Sequence, residues 1–370
     1  MRNRLAKITA ATLTLVVWPG CDGAHEDLPD LQQCQSGMEE IARMPGQTGT
    51  RDLLWHDGRL YFDGLPPVTG GTVAPSGIMV LPEDGGSASL FLATDVWNMW
   101  SDGDSIVYAM GDNFYTVPFA GSEAQLVAAG ATNEDHLAEI DAQNMDENYF
   151  YWLSSSATGQ PSTSVWAKPR SGGANIAIGE IPSLAHPQFA ATYPTPQGLL
   201  IAATVDVGHA WFVDKTTWQW RALADLPQEV FPAGGMYIDA RGAYWRTYLG
   251  GNGRDERYGV FQSDVAGDPL KPYWPSMPSH FATSTMLSDR AGGWAVSGIE
   301  WFSDGHMHAS YWTVDAQQVG HRQACPAAAD LSSEIVAAAW SPSYVFLAVF
   351  TWPEGGADYY TSIWRFPRVP

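Results

Sequence analysis

Two histidines and an aspartate near residue 305 have the side-chain types of a divalent metal site. The stretch reads Asp304-Gly305-His306-Met307-His308. If the chain is extended here, His306 and His308 project to the same side, and two imidazoles with one carboxylate suit a divalent ion. The alternative is a polar hairpin loop leading into a strand at Ser310, because a third ligand is not firmly identified and structural zinc sites are usually closed by four.

Motifs that would identify an enzyme are absent from the sequence. It contains no Gly-x-Ser-x-Gly, His-Glu-x-x-His, Gly-x-x-x-x-Gly-Lys or Cys-x-x-Cys. Acidic stretches at residues 102–104 and 141–146 lack the ligand period and terminal Glu of a calcium loop, so turn roles fit them better. These absences favour a non-enzymatic protein, and no cofactor is expected.

A second set of candidates suits recognition. It consists of Trp301, Trp352, Arg254, Asp255 and Glu256, which we expect in long loops between strands. Aromatic and charged side chains on the loops of a rigid scaffold suit the binding of a protein or a glycan. Two alternatives stay open: the loops are tolerated insertions, and each tryptophan folds back over its own sheet.

The N-terminus has the pattern of an export signal. Its basic residues are Arg2, Arg4 and Lys7, and residues 8–17 follow without a charge. That apolar run is too short to cross a bilayer as a stable helix, but it suits a signal peptide over residues 1–20. No later apolar run is long enough to span a membrane.

Cys21 is the candidate lipidation site. It follows Gly20 directly, which resembles bacterial lipoproteins whose cysteine becomes the acylated N-terminus, although Trp18-Pro19 departs from the usual lipobox. Cleavage nearby that leaves Cys21 unmodified is the alternative. We predict a polar tether over residues 21–37, and a protein anchored to the bacterial cell envelope, in the periplasm or on the cell surface, by its lipid alone.

The other two cysteines form an even pair. Once Cys21 is acylated, Cys34 and Cys325 remain, and in an oxidising compartment they would form a disulfide. The objection is distance, because the segment after Cys34 and the segment around Cys325 are expected at opposite faces of the fold. The sequence leaves both outcomes open.

Charge and composition restrict the classes of partner and fold. Lys and Arg number 19 against 40 Asp and Glu, giving −21, or −24 once the three cations of residues 1–20 are removed. This balance excludes a protein that binds the nucleic-acid backbone, which needs a basic face. An apolar fraction of 45% supports a large core, and 17 Trp favour β-structure.

The elements that must position these residues are repeated strands. In the first repeat, Leu53-Leu54-Trp55, a His56-Asp57-Gly58 turn, and Leu60-Tyr61-Phe62 precede a third strand and a Gly-rich turn. The third strands are marked by Met79, Tyr115, Trp166, Phe212, Phe261, Trp312 and Trp364, spaced 36 to 52 residues apart. Four short strands in about 40–50 residues are typical of one propeller blade. We predict an all-β propeller of seven four-stranded blades, within a range of six to eight.

The last repeat ends at Pro370 after its third strand. Residues 38–45 have the pattern of a fourth strand and precede the first repeat, so we predict that they complete the last blade and close the ring. Residues 38–370 then form a single propeller domain. Closure protects the sheet edges around the axis, and we expect a monomer.

The chain resembles the secreted bacterial β-propellers of the TolB-like and related repeat types, in which the third strand ends near Pro and an Asp-Gly-Gly turn follows. That resemblance covers nearly all of residues 38–370 and implies a propeller without implying an activity. The leading hypothesis is an anchored, non-enzymatic binding or scaffold protein that recognises its partner on the loop-rich face. The alternative is a secreted lyase or hydrolase of a sugar or lactone that uses loop His and carboxylate groups near the central channel.

Overall fold

The protein is described from a computed structural model. The described residues are 34, 37–45, 52–64, 77–96, 98–111, 113–121, 123–129, 144–155, 162–181, 189–204, 208–223, 231–239, 242–250, 257–264, 271–274, 281–289, 293–303, 306–315, 318–326, 332–352 and 360–368. Cys21, Arg254, Asp255, Glu256 and Asp304 lie outside them.

The first three blades follow the same four-strand order, and one strand precedes them in the chain. That strand is β1 (Glu39–Pro45). Blade 1 contains β2 (Leu53–His56), β3 (Arg59–Gly64), β4 (Gly77–Pro82) and β5 (Ser89–Ala93). Blade 2 contains β6 (Asn98–Asp102), β7 (Ser105–Met110), β8 (Asn113–Pro118) and β9 (Gln125–Ala129). Blade 3 contains β10 (Asn144–Met145), β11 (Tyr149–Ser155), β12 (Thr163–Pro169) and β13 (Ile176–Glu180).

The later blades continue the same order. Blade 4 contains β14 (Phe189–Pro194), β15 (Gly198–Thr204), β16 (Gly208–Asp214) and β17 (Trp220–Ala222). Blade 5 contains β18 (Phe231–Asp239), β19 (Gly242–Gly250), β20 (Arg257–Ser263) and β21 (Lys271–Trp274). Blade 6 contains β22 (Phe281–Asp289), β23 (Gly293–Trp301), β24 (Met307–Val314) and β25 (Gly320–Ala324). Blade 7 contains β26 (Ser332–Trp340), β27 (Tyr344–Trp352) and β28 (Tyr360–Pro367), and the strand order within its sheet is β1-β28-β27-β26.

The ring closes through its N-terminal strand, as predicted. β1 runs antiparallel to β28, from Glu39 opposite Arg365 to Pro45 opposite Tyr360. Its seven residues therefore supply the fourth strand that the C-terminal repeat lacks. The seven four-stranded antiparallel sheets confirm the predicted propeller and fix its blade count.

Apolar side chains are buried between the blades. The first strands of neighbouring blades contact each other, which places them innermost, and the fourth strands lie outermost. Between blades 1 and 2, Tyr61 and Ile78 pack with Ile106, Tyr108 and Val117. Because a twisted four-stranded sheet has two faces to cover, each blade needs both of its neighbours.

A one-residue bulge recurs in the outer strands. In six of the seven blades, the pairing of the fourth strand with the third skips one residue, as at Phe91 between the pairs Met79–Leu90 and Ile78–Leu92. The skipped residues are Ile41, Phe91, Val127, Ile178, Tyr273 and Gln323. Such a bulge re-aims a side chain and increases the local twist. Ile41, Ile178 and Tyr273 are buried as a result in the apolar layers between blades.

The two ends of the blades differ. At one end, the turn between the first and second strands lies beside the turn after the third strand, as shown by the 2.9 Å bond from Glu83 N to Gly58 O. We call this end the tight-turn face. The second-to-third loops and the connections between blades leave from the other end, the loop-rich face. Gly85 belongs to the tight-turn face: its φ is +91°, and a Cβ there would lie 2.9 Å from Ile41 O of β1.

None of the described residues form a helix of sufficient length and apolarity to cross a membrane.

Candidate functional site

Trp301 and Trp352 lie at strand ends, which corrects their expected place in loops. Trp301 is the last residue of β23 and pairs with Met307. Trp352 is the last residue of β27, pairs with Ser332 and contacts the ring of Phe350 at 5.5 Å. Both are half-buried at the loop-rich face. The sheet therefore fixes the backbone of both tryptophans.

The pairing of β23 with β24 continues past Trp301. Trp301 pairs with Met307, and Phe302 N donates to His306 O at 3.1 Å. Trp301 and Met307 therefore belong to the sheet and not to a loop.

The two histidines of the predicted metal site do lie together. Their ring centroids are 6.2 Å apart. His308 is fully buried, sits opposite Glu300 in the β23–β24 ladder and meets Phe302 edge to face at 5.3 Å. Within the described part of the chain, no three His, Cys, Asp or Glu side chains are placed to hold a metal ion. The predicted third ligand, Asp304, is outside that part.

A buried carboxylate, Glu300, lies next to these histidines. Ser310 Oγ donates to its Oε2 at 2.6 Å, and Arg322 Nε donates to the same oxygen at 2.9 Å. A second nitrogen of Arg322 bonds Oε1. Both carboxylate oxygens are therefore engaged by groups of β24 and β25, and Glu300 joins three strands of blade 6.

Aromatic rings hold Arg322 in place. Its guanidinium lies 4.8 Å from the ring centroid of Trp312 and 5.9 Å from that of Phe302. Arginine suits such a position, because its planar group can stack on rings while its edge binds a carboxylate in two places. The Glu300–Arg322 pair is a fixed structural element next to Phe302, the residue that follows β23.

Cys34 and Cys325 form a disulfide. Their Cα atoms are 5.5 Å apart, well within bonding range. Cys34 and Cys325 pack on Phe302, and Cys325 Sγ lies 3.8 Å from Ser310 Oγ. The distance objection does not hold: β1 begins at the tight-turn face, but Cys34, five residues earlier, reaches the loop-rich end of blade 6.

A hydrogen bond joins blade 6 to blade 7 near the disulfide. Ala309 N donates to Ser333 Oγ at 2.9 Å, and Ser333 Oγ donates to Pro326 O at 3.4 Å. Ser333 belongs to the first strand of blade 7 and is fully buried. The loop-rich end of blade 6 is thus fastened to both the N-terminal segment and the next blade.

The tight-turn face holds a second group of charges, which the sequence analysis missed. Asp146 follows the first strand of blade 3 and accepts bonds from the amides of Asn148 and Tyr149, at 2.7 and 2.8 Å. Tyr151 Oη donates to its other oxygen at 3.0 Å. Lys215 of blade 4 also binds that oxygen and, in addition, Thr195 O.

Burial and hydrogen bonding compete at Asp146. Burial alone would raise the pKa of Asp146, but the Lys215 ammonium and the two amides outweigh it and hold the pKa below its ordinary value. Burial and the nearby Asp146 charge raise the pKa of Tyr151 far above its ordinary value, so its phenol stays a hydrogen-bond donor.

The same arrangement occurs one blade earlier. Arg170 directly follows the third strand of blade 3 and binds Asp102, the last residue of the first strand of blade 2. Lys215 follows the third strand of blade 4 and binds Asp146 of blade 3. The cation lies 68 residues after its carboxylate in the first case and 69 in the second. Because the two spacings are nearly equal, they could have indicated both ion pairs from the sequence.

No family model and no curated protein matches the chain. Among solved structures, it is similar to the oligogalacturonate lyase of Vibrio parahaemolyticus, with 11% identity, a TM-score of 0.61, and coverage of 90% of this chain and 93% of that one. It is also similar to the β-propeller domain of the trilobed protease from Pyrococcus furiosus, with 10% identity, a TM-score of 0.53, and coverage of 85% and 97%.

A third similar structure is the acylaminoacyl peptidase of Pyrococcus horikoshii, with 9% identity and a TM-score of 0.55. The match covers 90% of this chain and 53% of the peptidase, so this chain corresponds to about half of that protein's length. At such identities the likeness concerns the fold, and fold does not determine activity. By its sheet order and by these likenesses, the chain is a seven-bladed β-propeller.

Proposed function

We propose that this protein is an exported, envelope-anchored propeller that binds a protein or glycan partner at the loop-rich end of blades 6 and 7, without catalysis. One observation carries the proposal: Trp301 and Phe302 stand on a base that is cross-linked in three ways. These are the Glu300–Arg322 pair, the Cys34–Cys325 disulfide and the Ala309–Ser333 bond.

Such a base lowers the entropic cost of binding. A surface that is ordered before its partner arrives loses little freedom on association, so more of the contact energy appears as affinity. Tryptophan adds a large, rigid contact area with few rotatable bonds, and it suits both protein and sugar surfaces. In this proposal, Glu300 and Arg322 do not contact the partner. They serve recognition indirectly, by positioning Trp301.

The disulfide supports export. Disulfides form and persist in oxidising compartments such as the bacterial periplasm or the cell surface. With Cys34 and Cys325 joined, Cys21 is the one cysteine of the three left for acylation. Mass spectrometry of protein from the native envelope should find a lipid on Cys21, and an unmodified Cys21 thiol would remove the anchor from the proposal.

The binding surface can be tested by screening arrays of envelope glycans and of extracytoplasmic peptides with the full chain. The hit is then measured with Trp301→Ala/Trp352→Ala and with the control Asp57→Asn/Asp84→Asn on the tight-turn face. We expect the tryptophan pair to weaken binding by about tenfold or more, the scale of a lost aromatic anchor. The control pair should bind like the parent.

The opposite pattern would overturn the proposal. If the asparagine pair abolishes binding while the alanine pair preserves it, the partner docks on the tight-turn face. Melting curves of both variants show whether a loss of binding reflects misfolding. Both variants retain the disulfide and the Glu300–Arg322 pair, so we expect them to fold.

A further inference from the structure

Two exposed leucines occupy equivalent places in neighbouring blades. Leu90 of β5 is 43% exposed and Leu126 of β9 is 57% exposed. Leu90 pairs with Met79 and Leu126 with Tyr115, the residues that mark the third strands of blades 1 and 2. Among the described residues, Val319 of blade 6, at 51%, is the one other large apolar side chain of similar exposure.

The outer strands that carry these leucines differ from the other five. β5 reads Ser-Leu-Phe-Leu-Ala and β9 reads Gln-Leu-Val-Ala-Ala, with no charge in either. The outer strands of the remaining blades carry Glu39, Glu40, Arg43, Glu180, Arg221, Lys271 and Arg322. Charged residues on an edge strand normally prevent pairing with other chains. The outer-strand bulge occurs in charged and uncharged strands alike, so charge is what distinguishes blades 1 and 2.

The two uncharged strands flank the same interface, the one between blades 1 and 2. Phe91 of β5 reaches blade 2, where its ring would lie 3.9 Å from a Cβ placed on Gly121. Phe91 and Leu92 also share an apolar cluster with Ala124, which directly precedes β9. We call the surface formed by β5 and β9, with Leu90 and Leu126 exposed on it, the blade 1–2 rim.

The chain that forms blades 1 and 2 is strongly acidic. Residues 52–129 contain ten Asp or Glu residues, one Arg and no Lys. Exposed carboxylates adjoin both strands of the rim: Asp95 lies two residues after β5, and Glu123 lies two residues before β9. A second copy of the chain would bring the same charges against them, in a protein whose net charge is already −21. Repulsion of like charges therefore disfavours self-association here, and complementarity favours a cation.

We propose that the blade 1–2 rim is a docking surface for an extended, basic segment of a partner protein. Apolar side chains of the segment cover Leu90 and Leu126, and its Lys or Arg side chains face the surrounding carboxylates. Extended segments bind exposed sheet edges through backbone pairing and alternate side chains. This surface is separate from the loop-rich end of blade 6, and it does not depend on the function proposed above.

Titration with short synthetic peptides tests the proposal. The probe is a labelled peptide of about eight residues that alternates Leu and Lys, a length that spans an edge strand. Two comparison peptides alternate Leu with Glu and Ser with Lys. Fluorescence anisotropy should show that the full chain binds the Leu-Lys peptide about tenfold or more tightly than either comparison peptide, and that added salt weakens this binding.

Leu90→Ser/Leu126→Ser removes the apolar groups without changing charge. It should weaken Leu-Lys binding by about tenfold, while Val319→Ser, which truncates an equally exposed side chain elsewhere, should stay within about twofold of the parent. An equal loss of affinity in both variants, or equal binding of the Ser-Lys peptide, would show that the peptide binds by nonspecific charge attraction and would overturn the proposal. Sedimentation gives the remaining outcome: a dimer of the parent that Leu90→Ser/Leu126→Ser dissociates would assign the rim to a second copy of the chain and overturn the proposal.

Discussion

The charges of blade 6 join strands within one blade, whereas those of blades 2 to 4 join neighbouring blades. At the loop-rich end, Glu300 is 0% exposed and its partner Arg322 is 25% exposed. At the tight-turn face, Lys215 and Asp146 are 14% and 16% exposed, and Arg170 and Asp102 are 22% and 40% exposed. The carboxylates of the three pairs thus form a series of increasing exposure, from Glu300 through Asp146 to Asp102.

This difference shows two ways of assembling the ring. Ion pairs at the tight-turn face couple blade 2 to blade 3 and blade 3 to blade 4, so their charges strengthen the boundaries between blades. In blade 6 the ion pair stiffens the blade itself, and a disulfide and a hydrogen bond fasten it to its surroundings. A surface that presents side chains to a partner benefits from the second arrangement, because its own geometry is fixed.

The largest effect should follow removal of the cation in blade 6. Arg322→Met retains apolar contact with Trp312 but removes the guanidinium that binds both oxygens of the buried Glu300. Removing one partner of a buried pair costs about 3–5 kcal/mol of unfolding free energy. Urea unfolding monitored by tryptophan fluorescence measures the loss.

The double variant Glu300→Leu/Arg322→Met sharpens that measurement. Since a buried pair can be replaced by apolar residues at little cost, the double variant should recover most of the stability that the single variant loses. A double variant no more stable than Arg322→Met would show that the damage comes from lost packing around Phe302 and Trp312.

An intermediate effect should follow removal of the cation between blades 3 and 4. Lys215→Met leaves Asp146 with Tyr151 and two backbone amides as partners, so we expect a loss of about 1–3 kcal/mol at neutral pH. Because the pKa of Asp146 is lowered in the fold, its ionised form stabilises the protein above the unfolded-state pKa of about 4, and this contribution is lost as the pH falls further.

The pH dependence distinguishes charge from packing at this site. The difference in stability between the parent and Lys215→Met should be largest at neutral pH and should shrink below about pH 4, as Asp146 becomes protonated. Thermal melts across this range measure it. A difference that stays constant with pH would assign the effect to the lost lysine side chain instead.

The smallest effect should follow Arg170→Met, at the boundary of blades 2 and 3. Its partner Asp102 is well exposed, so solvent and salt screen the pair and a loss of about 1 kcal/mol or less is expected. Thermal melts in low and high salt should bring parent and variant closer together as salt rises. An effect as large as that of Arg322→Met would contradict the ranking by burial.

The strands could be predicted from the sequence because their determinants are local. A short apolar run such as Leu60-Tyr61-Phe62 indicates a buried strand. A turn such as Asp57-Gly58 needs positive φ at both positions, 44° and 74°. The closing strand was also predictable, since the last repeat lacks one strand and residues 38–45 supply it. The bulge at Phe91 has no such local sign, as it depends on the strand beside it.

The buried charges were harder to predict because their partners are distant in the chain. Glu300 lies 22 residues from Arg322, and Trp301 was expected in a loop, whereas the β23–β24 ladder continues through both Glu300 and Trp301. Sequence alone left the pairing of Cys34 with Cys325 open, since 291 residues separate them. The spacing of Asp102 with Arg170, repeated by Asp146 with Lys215, was available but becomes meaningful only when blades are aligned.

The N-terminal closure has a consequence for the order in which the protein is made. Chains are synthesised N-terminus first at about 5–20 residues per second, so roughly 15–60 s separate the synthesis of Cys34 from that of Cys325, 291 residues later. The interval between β1 and its partner β28 is longer, because β28 ends at Pro367. A chain that stops before β28 retains an unpaired β1 strand, and one that stops before Cys325 also retains a Cys34 thiol. Both features therefore distinguish an unfinished chain from a complete ring.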